Sequence, residues 1–110
     1  MRPTITLDNR VYTLLGYVED FIPGKGRHYQ IDTFDLAVFK VGDKFYAIDN
    51  ICPHQGGSLS DGEVDDDFVT CPVHAQTFHL TSGENITAEG NDTLTYPVIE
   101  RDGKIFACLN

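Results

Sequence analysis

The sequence predicts an all-β fold, a small antiparallel sandwich or barrel formed by a single domain over residues 1–110. Three observations support this class. Short stretches alternate apolar and polar side chains, which is the two-residue period of half-buried strands. Two pairs of these stretches are joined by tight turns, and one turn is Asp102-Gly103, a dipeptide typical of hairpins. No segment reads convincingly as a helix.

The strand candidates follow from this alternation and from the turns between them. Residues 11–18 form the first candidate, rich in β-branched and aromatic side chains. Residues 35–41 and 45–49 flank a turn at Gly42-Asp43, and residues 94–100 and 105–109 flank the turn at Asp102-Gly103. Two shorter candidates, 68–73 and 76–80, lie in the middle of the chain. We expect all of them to pair antiparallel.

Two short motifs bring thiols and imidazoles together. Cys52-Pro53-His54 and Cys71-Pro72-Val73-His74 each supply one sulfur and one nitrogen donor, the types that bind zinc and iron-sulfur centres. The proline after each cysteine pushes that cysteine toward an extended conformation, which shapes the loop before metal binds. One tetrahedral zinc could take all four ligands, but structural zinc sites usually begin with two closely spaced cysteines. Because each motif supplies one cysteine and one histidine, the pair favours a centre with two metal ions, one bound by the two thiolates and the other by the two imidazoles.

At these residues the chain resembles the Rieske 2Fe-2S family. Residues 52–57 and 71–78 read like the two cluster loops of that family, and Leu59-Ser60-Asp61-Gly62 and Thr81-Ser82-Gly83 are also similar. The likeness covers about residues 35–109. It implies one 2Fe-2S cluster, with Cys52 and Cys71 on an inner iron and His54 and His74 on an outer iron near the surface.

The resemblance also implies a division of the domain. Residues 1–48 and 84–110 would form a Rieske-like antiparallel β-sandwich or barrel base, and residues 49–83 would form an inserted, smaller β lobe that binds the cluster. Within the lobe, we expect apolar side chains to shield the thiolate-bound iron: Leu59, Phe68, Val69 and Phe78.

The function that the resemblance implies is that of a soluble ferredoxin, a carrier of single electrons and not an enzyme. A flavin-dependent reductase would be its electron donor, and a terminal oxygenase of the aromatic-ring type, or another reductase, its acceptor. The chain is too short to hold the mononuclear iron site of a terminal oxygenase as well, since only His28 and His79 remain beyond the four ligands. Two alternatives stay open: the small Rieske subunit of an assimilatory nitrite reductase, and a structural zinc module for protein interaction.

Several residues depart from the family pattern. Gly57 and Val73 stand where high-potential relatives carry the cysteines of a disulfide, and Gln76 and Phe78 stand where hydroxyl donors are expected. Fewer donors to the cluster sulfurs predict a potential near the bottom of the Rieske range of about −150 to +300 mV. Ala75 replaces a frequent glycine, which argues against a positive φ at that position.

The charge of the chain bears on its partners. It has 17 acidic and 8 basic residues, giving a net charge of −9 at pH 7. This charge disfavours nucleic acid and anionic lipid, and it favours steered encounters with basic protein surfaces. No signal peptide or membrane span is visible, so we expect a cytoplasmic monomer. An acidic run between the two motifs is interpreted equally as a docking rim or a solvated turn: Glu63, Asp65, Asp66 and Asp67.

The remaining reactive residues are predicted to be structural. Cys108 shares a strand face with Phe106 and is expected to be a buried apolar residue, not half of a disulfide. His28 and His79 are expected to have structural roles. The patterns Asn85-Ile86-Thr87 and Asn91-Asp92-Thr93 match the glycosylation motif, and we interpret both as chance matches in a cytoplasmic protein.

Overall fold

The structure is a computed structural model that describes residues 2–53, 57–73, 75–87 and 91–109. These described residues contain no α-helix, only strands and two short 3₁₀ turns at Val18–Asp20 and Leu59–Asp61. The prediction of an all-β chain is confirmed. The strands in chain order are β1 (Thr4–Leu7), β2 (Arg10–Tyr17), β3 (Gly26–Ile31), β4 (Phe34–Val41), β5 (Lys44–Asp49), β6 (Glu63–Asp65), β7 (Phe68–Thr70), β8 (Thr77–His79), β9 (Thr95–Tyr96), β10 (Val98–Arg101) and β11 (Lys104–Ala107).

The described strands form three antiparallel sheets. The first sheet has the order β1-β2-β11-β10, the second has the order β3-β4-β5-β9, and the third is a small sheet of β6-β7-β8. Side chains from the first two sheets pack against each other to form one core, which includes Leu15, Leu36, Val38 and Ile105. The small sheet lies within the lobe predicted over residues 49–83.

Strand β4 is buried on both faces, because it lies between the core of the two large sheets and the core beneath the small sheet. Leu36 and Val38 point into the core between the two large sheets. Ala37 and Phe39, on the opposite face, belong to a second core that also contains both motif cysteines. All four side chains are 0% exposed. The near-continuous apolar sequence of β4 is the pattern expected of a strand buried on both sides.

The hairpin predicted at Asp102-Gly103 is confirmed. Arg101 pairs with Lys104 across a two-residue turn. Asp102 and Gly103 have φ values of 54° and 77°. Positive φ at both central positions is what a type I′ turn requires, and its twist matches that of the flanking strands.

The single strand predicted over residues 94–100 is wrong. Thr95–Tyr96 pairs with β5 in the second sheet, whereas Val98–Arg101 pairs with β11 in the first. Pro97 separates them, since it has no N–H to donate to a sheet, and its carbonyl accepts a 2.9 Å hydrogen bond from the Cys108 amide. The chain therefore crosses from one sheet to the other at the proline.

Three strands were not predicted: β1, β3 and β6. Strand β3 is the largest omission, because it pairs with β4 along its whole length, from Gly26↔Phe39 to Ile31↔Phe34. Only Tyr29 and Ile31 of its six residues are buried, so its sequence lacks a strong apolar signal. These two side chains join the core between the large sheets.

Cys108 is buried as predicted. It is 4% exposed, packs with Tyr12 and Phe106, and is a free thiol. Over the part of the chain that the structure describes, no helix has the length and apolar character needed to cross a lipid bilayer.

Candidate metal centre

The two cysteine loops begin in the same way. Cys52 follows β5, and its amide donates a 2.7 Å hydrogen bond to the carbonyl of Gly57. Cys71 follows β7, and its amide donates a 2.7 Å hydrogen bond to the carbonyl of Gln76. In each case the bond joins the cysteine to the residue five positions later. Each motif is thus a closed loop with its cysteine at the base.

The two thiols meet at the end of the second core. Cys52 and Cys71 are each 1% exposed, and they pack among the fully buried side chains of Leu59, Val69 and Phe78. The Cys52 and Cys71 thiols are close enough for Cys52 to raise the pKa of Cys71, and the backbone N–H of Val73 lies near enough to the Cys71 sulfur to lower that pKa. The core expected to shield the cysteines is therefore present.

The charge state of these thiols depends on a counter-charge. Burial raises the pKa of the Cys71 thiol, the backbone N–H of Val73 opposes this, and the neighbouring Cys52 raises the pKa further. Two adjacent thiolates in an apolar site repel each other, so a bound cation is the natural way to stabilise both. The donor set therefore matches a metal centre better than a pair of free thiols.

Phe68 was expected to help shield the cysteines, and this prediction is wrong. Side chains alternate along a strand, so Phe68 and Val69 point to opposite faces of the small sheet. Val69 faces the cysteines, whereas the Phe68 ring contacts the ring of His79 edge-on, with 4.8 Å between centroids.

The predicted imidazole ligands, His54 and His74, lie outside the described residues, as do Gln55 and Gly56. The other two histidines have partners elsewhere. His28 on β3 pairs with the carboxylate of Asp35. His79 contacts Phe68, and its Nδ1 shares a hydrogen bond with the hydroxyl of Thr81. Their predicted structural roles agree with these contacts.

Gly57 forms part of the cradle around Cys71. A methyl group built at Gly57 would lie 3.0 Å from the Sγ of Cys71, 3.0 Å from the Cγ2 of Val73 and 3.2 Å from the Cβ of Val73. The two cysteine loops therefore touch at this residue. A side chain here would push the loops apart, so the absence of a Cβ is what allows the close approach.

Ala75 corrects one expectation. Its φ is 53°, although the replacement of glycine by alanine argued against a positive φ there. The left-handed conformation costs an alanine about 1–2 kcal/mol. The next residue, Gln76, closes the loop onto Cys71, and that closure maintains the turn despite the cost.

Asn50 anchors the first loop and was missed in the sequence. It is 2% exposed, and its backbone N–H donates a 2.7 Å hydrogen bond to the carbonyl of Asp35. Its own carbonyl accepts from the amide of Leu59 at 2.7 Å. Its Oδ1 accepts from the Ser58 hydroxyl at 3.1 Å and from the Ser60 amide at 2.8 Å. A polar residue two positions before a candidate ligand was the available signal.

Comparison with known protein families distinguishes a 2Fe-2S cluster from a structural zinc at this site. The model of the Rieske [2Fe-2S] domain matches residues 11–108. The chain belongs to the Rieske [2Fe-2S] domain family. Its cofactor is one Rieske-type 2Fe-2S cluster.

Individual relatives of this Rieske domain agree on its role. The ferredoxin subunit of 3-phenylpropionate/cinnamic acid dioxygenase from Escherichia coli (strain K12) is 42% identical over 88 residues, which cover 77% of this chain and 83% of that protein. Relatives of this kind are electron carriers and not catalysts. This Rieske chain is likewise an electron-transfer component of a multicomponent oxidoreductase system.

Two solved structures share the fold. A chain from the complex of reduced oxygenase and oxidised ferredoxin in carbazole 1,9a-dioxygenase has a TM-score of 0.81 at 28% identity, with 91% of this chain and 94% of that chain covered. A chain described as the small subunit of an NADH-dependent nitrite reductase from Mycobacterium tuberculosis has a TM-score of 0.83 at 26% identity, with 94% and 98% covered. The Rieske fold is therefore shared by both candidate systems.

The described residues fit the thiolate side of a Rieske cluster. They provide two adjacent buried sulfurs, a loop contact that leaves no room for a Cβ at Gly57, and a backbone donor at Val73. Backbone N–H groups aimed at sulfur stabilise negative charge, which increases when a cluster is reduced. The site therefore has the chemistry that a one-electron carrier needs.

Proposed function

We propose that this chain is the ferredoxin of a ring-hydroxylating oxygenase system. It accepts one electron from a flavin-dependent reductase and delivers it to a terminal oxygenase that acts on an aromatic ring. The identity of 42% with a dioxygenase ferredoxin subunit, over 83% of that protein, is the observation that carries this proposal. The cluster supplies a reversible one-electron couple when it is bound, and the protein supplies ligands, shielding and a docking surface.

We assign the ligands as Cys52 and Cys71 on one iron and His54 and His74 on the other. The adjacent, buried thiols of the two cysteines support the first pair. The two histidines follow from their places in the motifs. The cluster would then be carried by a lobe over residues 49–83, attached to a base over residues 1–48 and 84–110.

The surface beside the cysteine loops is suited to a transient partner. Ile51 is 49% exposed and Val73 is 40% exposed, so each loop presents an apolar side chain next to a cysteine that is itself buried. The exposed carboxylates of Glu63 and Asp65 lie on β6 of the same lobe. With a net charge of −9, we expect a basic partner surface to be attracted first and then to contact the apolar residues.

The first experiment tests the cofactor and its ligands. Anaerobically purified protein is measured by visible absorption and low-temperature EPR before and after dithionite, with iron and zinc quantified on the same sample. We expect two irons per chain and a reduced signal with the low average g of mixed sulfur and nitrogen ligation. A colourless protein with one zinc would establish the structural zinc alternative and end the electron-transfer proposal.

The second experiment tests the partners. The loaded protein is mixed with an NADH-oxidising flavoprotein reductase and a terminal aromatic-ring oxygenase, and hydroxylated product is measured against protein concentration. We expect product formation to need the ferredoxin and to slow as ionic strength rises, because screening weakens the attraction between opposite charges. A rate unchanged between low and high salt would contradict electrostatic steering.

A nitrite reductase subunit is the second candidate function, favoured by the TM-score of 0.83 with the Mycobacterium tuberculosis chain. The two functions differ in how the protein associates. A ferredoxin should dissociate from its oxygenase during gel filtration, whereas a permanent subunit should co-elute with a sirohaem-containing chain. Stable co-elution together with nitrite-dependent NADH oxidation would select the second function.

A further inference from the structure

The side chain of Gln76 is held by residues from a different part of the chain. Its Oε1 accepts a 2.6 Å hydrogen bond from the Nδ2 of Asn85 and a 3.2 Å hydrogen bond from the hydroxyl of Thr87. All three residues are half-buried. The Thr87 hydroxyl has a single proton and also contacts the Oδ1 of Asn85, so the Asn85 Nδ2 is the main donor to Gln76 and Thr87 the weaker one. Together the two contacts orient the Gln76 side chain.

The donors are themselves fixed in place. The backbone amide of Asn85 donates to the carboxylate of Asp92 at 2.9 Å, and the Oδ1 of Asn85 accepts from the amide of Thr87 at 3.0 Å. The amide of Ile86 donates to the carbonyl of Thr77 at 2.9 Å. Residues 85–87 are thus attached to β8 by the backbone, and they form a frame against which Gln76 is held.

Gln76 is also the residue that closes the second cysteine loop. Its backbone carbonyl accepts a hydrogen bond from the backbone N–H of Cys71. The residue before it, Ala75, has a positive φ, which is a costly conformation for an alanine. A loop with a strained residue needs support from outside itself to keep one conformation. The contacts to Asn85 and Thr87 supply that support at the residue next to the strain.

We propose that Gln76 is a positioning residue for the cluster and that residues 85–87 are the brace that holds it. The brace fixes the Gln76 carbonyl, which fixes the amide and thiol of Cys71. The Asn85-Ile86-Thr87 pattern then has a structural purpose unrelated to glycosylation, since its Asn85 amide nitrogen already donates to Gln76. This inference rests on the proposed assignment of Cys71 as a cluster ligand.

The test compares Gln76→Leu with Gln76→Glu. Leucine removes the oxygen that both donors need, while a glutamate carboxylate can still accept from Asn85 and Thr87. The readout is the rate of iron release from loaded protein into excess chelator, followed by loss of the visible absorption. We expect Gln76→Leu to release iron about tenfold faster than wild type, as the loss of the Asn85 hydrogen bond and of the weaker Thr87 contact implies. We expect Gln76→Glu to stay within about twofold of wild type.

Two further variants separate positioning from general stability. Thr87→Val removes the weaker donor to Gln76 and the contact of the same hydroxyl with the Asn85 Oδ1, and we expect it to accelerate release by about threefold. Val98→Ala is the control, because Val98 packs against the core between the two large sheets and is remote in sequence and sheet from the brace. It should lower the melting temperature and leave the rate of iron release unchanged.

The possible results distinguish a positioning role of Gln76 from a merely structural one. If Gln76→Leu and Thr87→Val release iron at the wild-type rate while melting earlier, Gln76 is merely structural and the inference is wrong. Equal release from Gln76→Glu and Gln76→Leu would also overturn it, because the accepting oxygen would then be irrelevant. If Gln76→Leu cannot be loaded with iron, Thr87→Val decides the question alone. Wild-type protein that binds no iron would instead reject the proposed function.

Discussion

A methyl group at Gly57 should separate the two cysteine loops, and Gly57→Ala is the smallest change that adds one. The added carbon would lie 3.0 Å from the sulfur of Cys71 and 3.0 Å from the Cγ2 of Val73. The optimal separation of non-bonded heavy atoms is about 3.5–4.0 Å. The direct effect of the added methyl group is therefore on this contact.

The loss of stability expected for Gly57→Ala follows from the cost of overpacking a core. Inserting a methyl group into a well-packed core costs about 1–3 kcal/mol, since neighbours must leave their preferred positions. For a domain near this size, each kcal/mol lowers the melting temperature by about 4–8 °C. We expect loaded Gly57→Ala protein to melt roughly 5–20 °C below wild type. Because the displaced atom is the Cys71 sulfur, iron should also be lost faster.

Gly103→Ala provides the matched control. Gly103 has a φ of 77°, and a methyl group built there meets no atom within 4 Å. Alanine in that conformation costs about 1–2 kcal/mol through backbone strain alone. The control should therefore reach a similar melting temperature without touching the cysteines, and its iron should be retained as in wild type.

The assay measures melting and chelator-driven iron release on both variants. We expect Gly57→Ala to differ from Gly103→Ala in the rate of iron release and not only in melting temperature. Equal release from the two variants would show that the contact between Gly57 and Cys71 does not constrain the centre. A Gly57→Ala protein with wild-type melting and release would refute the loop contact itself.

Three other substitutions have defined outcomes. Cys52→Ala removes a buried thiol and should leave less than one iron per chain by metal analysis, whereas retained iron would remove it from the site. Asn50→Ala leaves the Ser60 amide without its acceptor and should cost about 1–3 kcal/mol by thermal melting, while Asn50→Asp keeps an acceptor and should cost less. The pair Gly57→Cys and Val73→Cys should form a disulfide, because the built Cβ lies 3.2 Å from the Val73 Cβ and a small separation of the loops brings this to the usual value of about 3.5–4.5 Å. Thiol titration that finds both new cysteines free would reject that geometry.

Local sequence signals predicted the parts of this fold that depend on neighbours along the chain. The turn at Asp102-Gly103 is an example, since positive φ at two adjacent residues restricts the sequence directly. The cysteines of the centre were predictable for a similar reason, because ligand chemistry limits which residue types can serve. Strand β3 was not predicted because its apolar alternation is short, with only Tyr29 and Ile31 of its six residues buried. The prediction of one strand over residues 94–100 fails because Pro97 interrupts the pairing, so the residues before and after it join different sheets.

The supports of the two loops could not be predicted, because each depends on residues that meet only after folding. Asn50 holds the first loop through partners up to ten positions later in the chain, and it is 2% exposed. Gln76 holds the second loop through a half-buried contact to Asn85, nine positions later. In both cases a side chain beside a cysteine loop bonds to partners nine or ten positions away, and neither pairing follows a short sequence motif. Such contacts depend on how the turns between the partners fold, which alternation of apolar and polar residues does not specify.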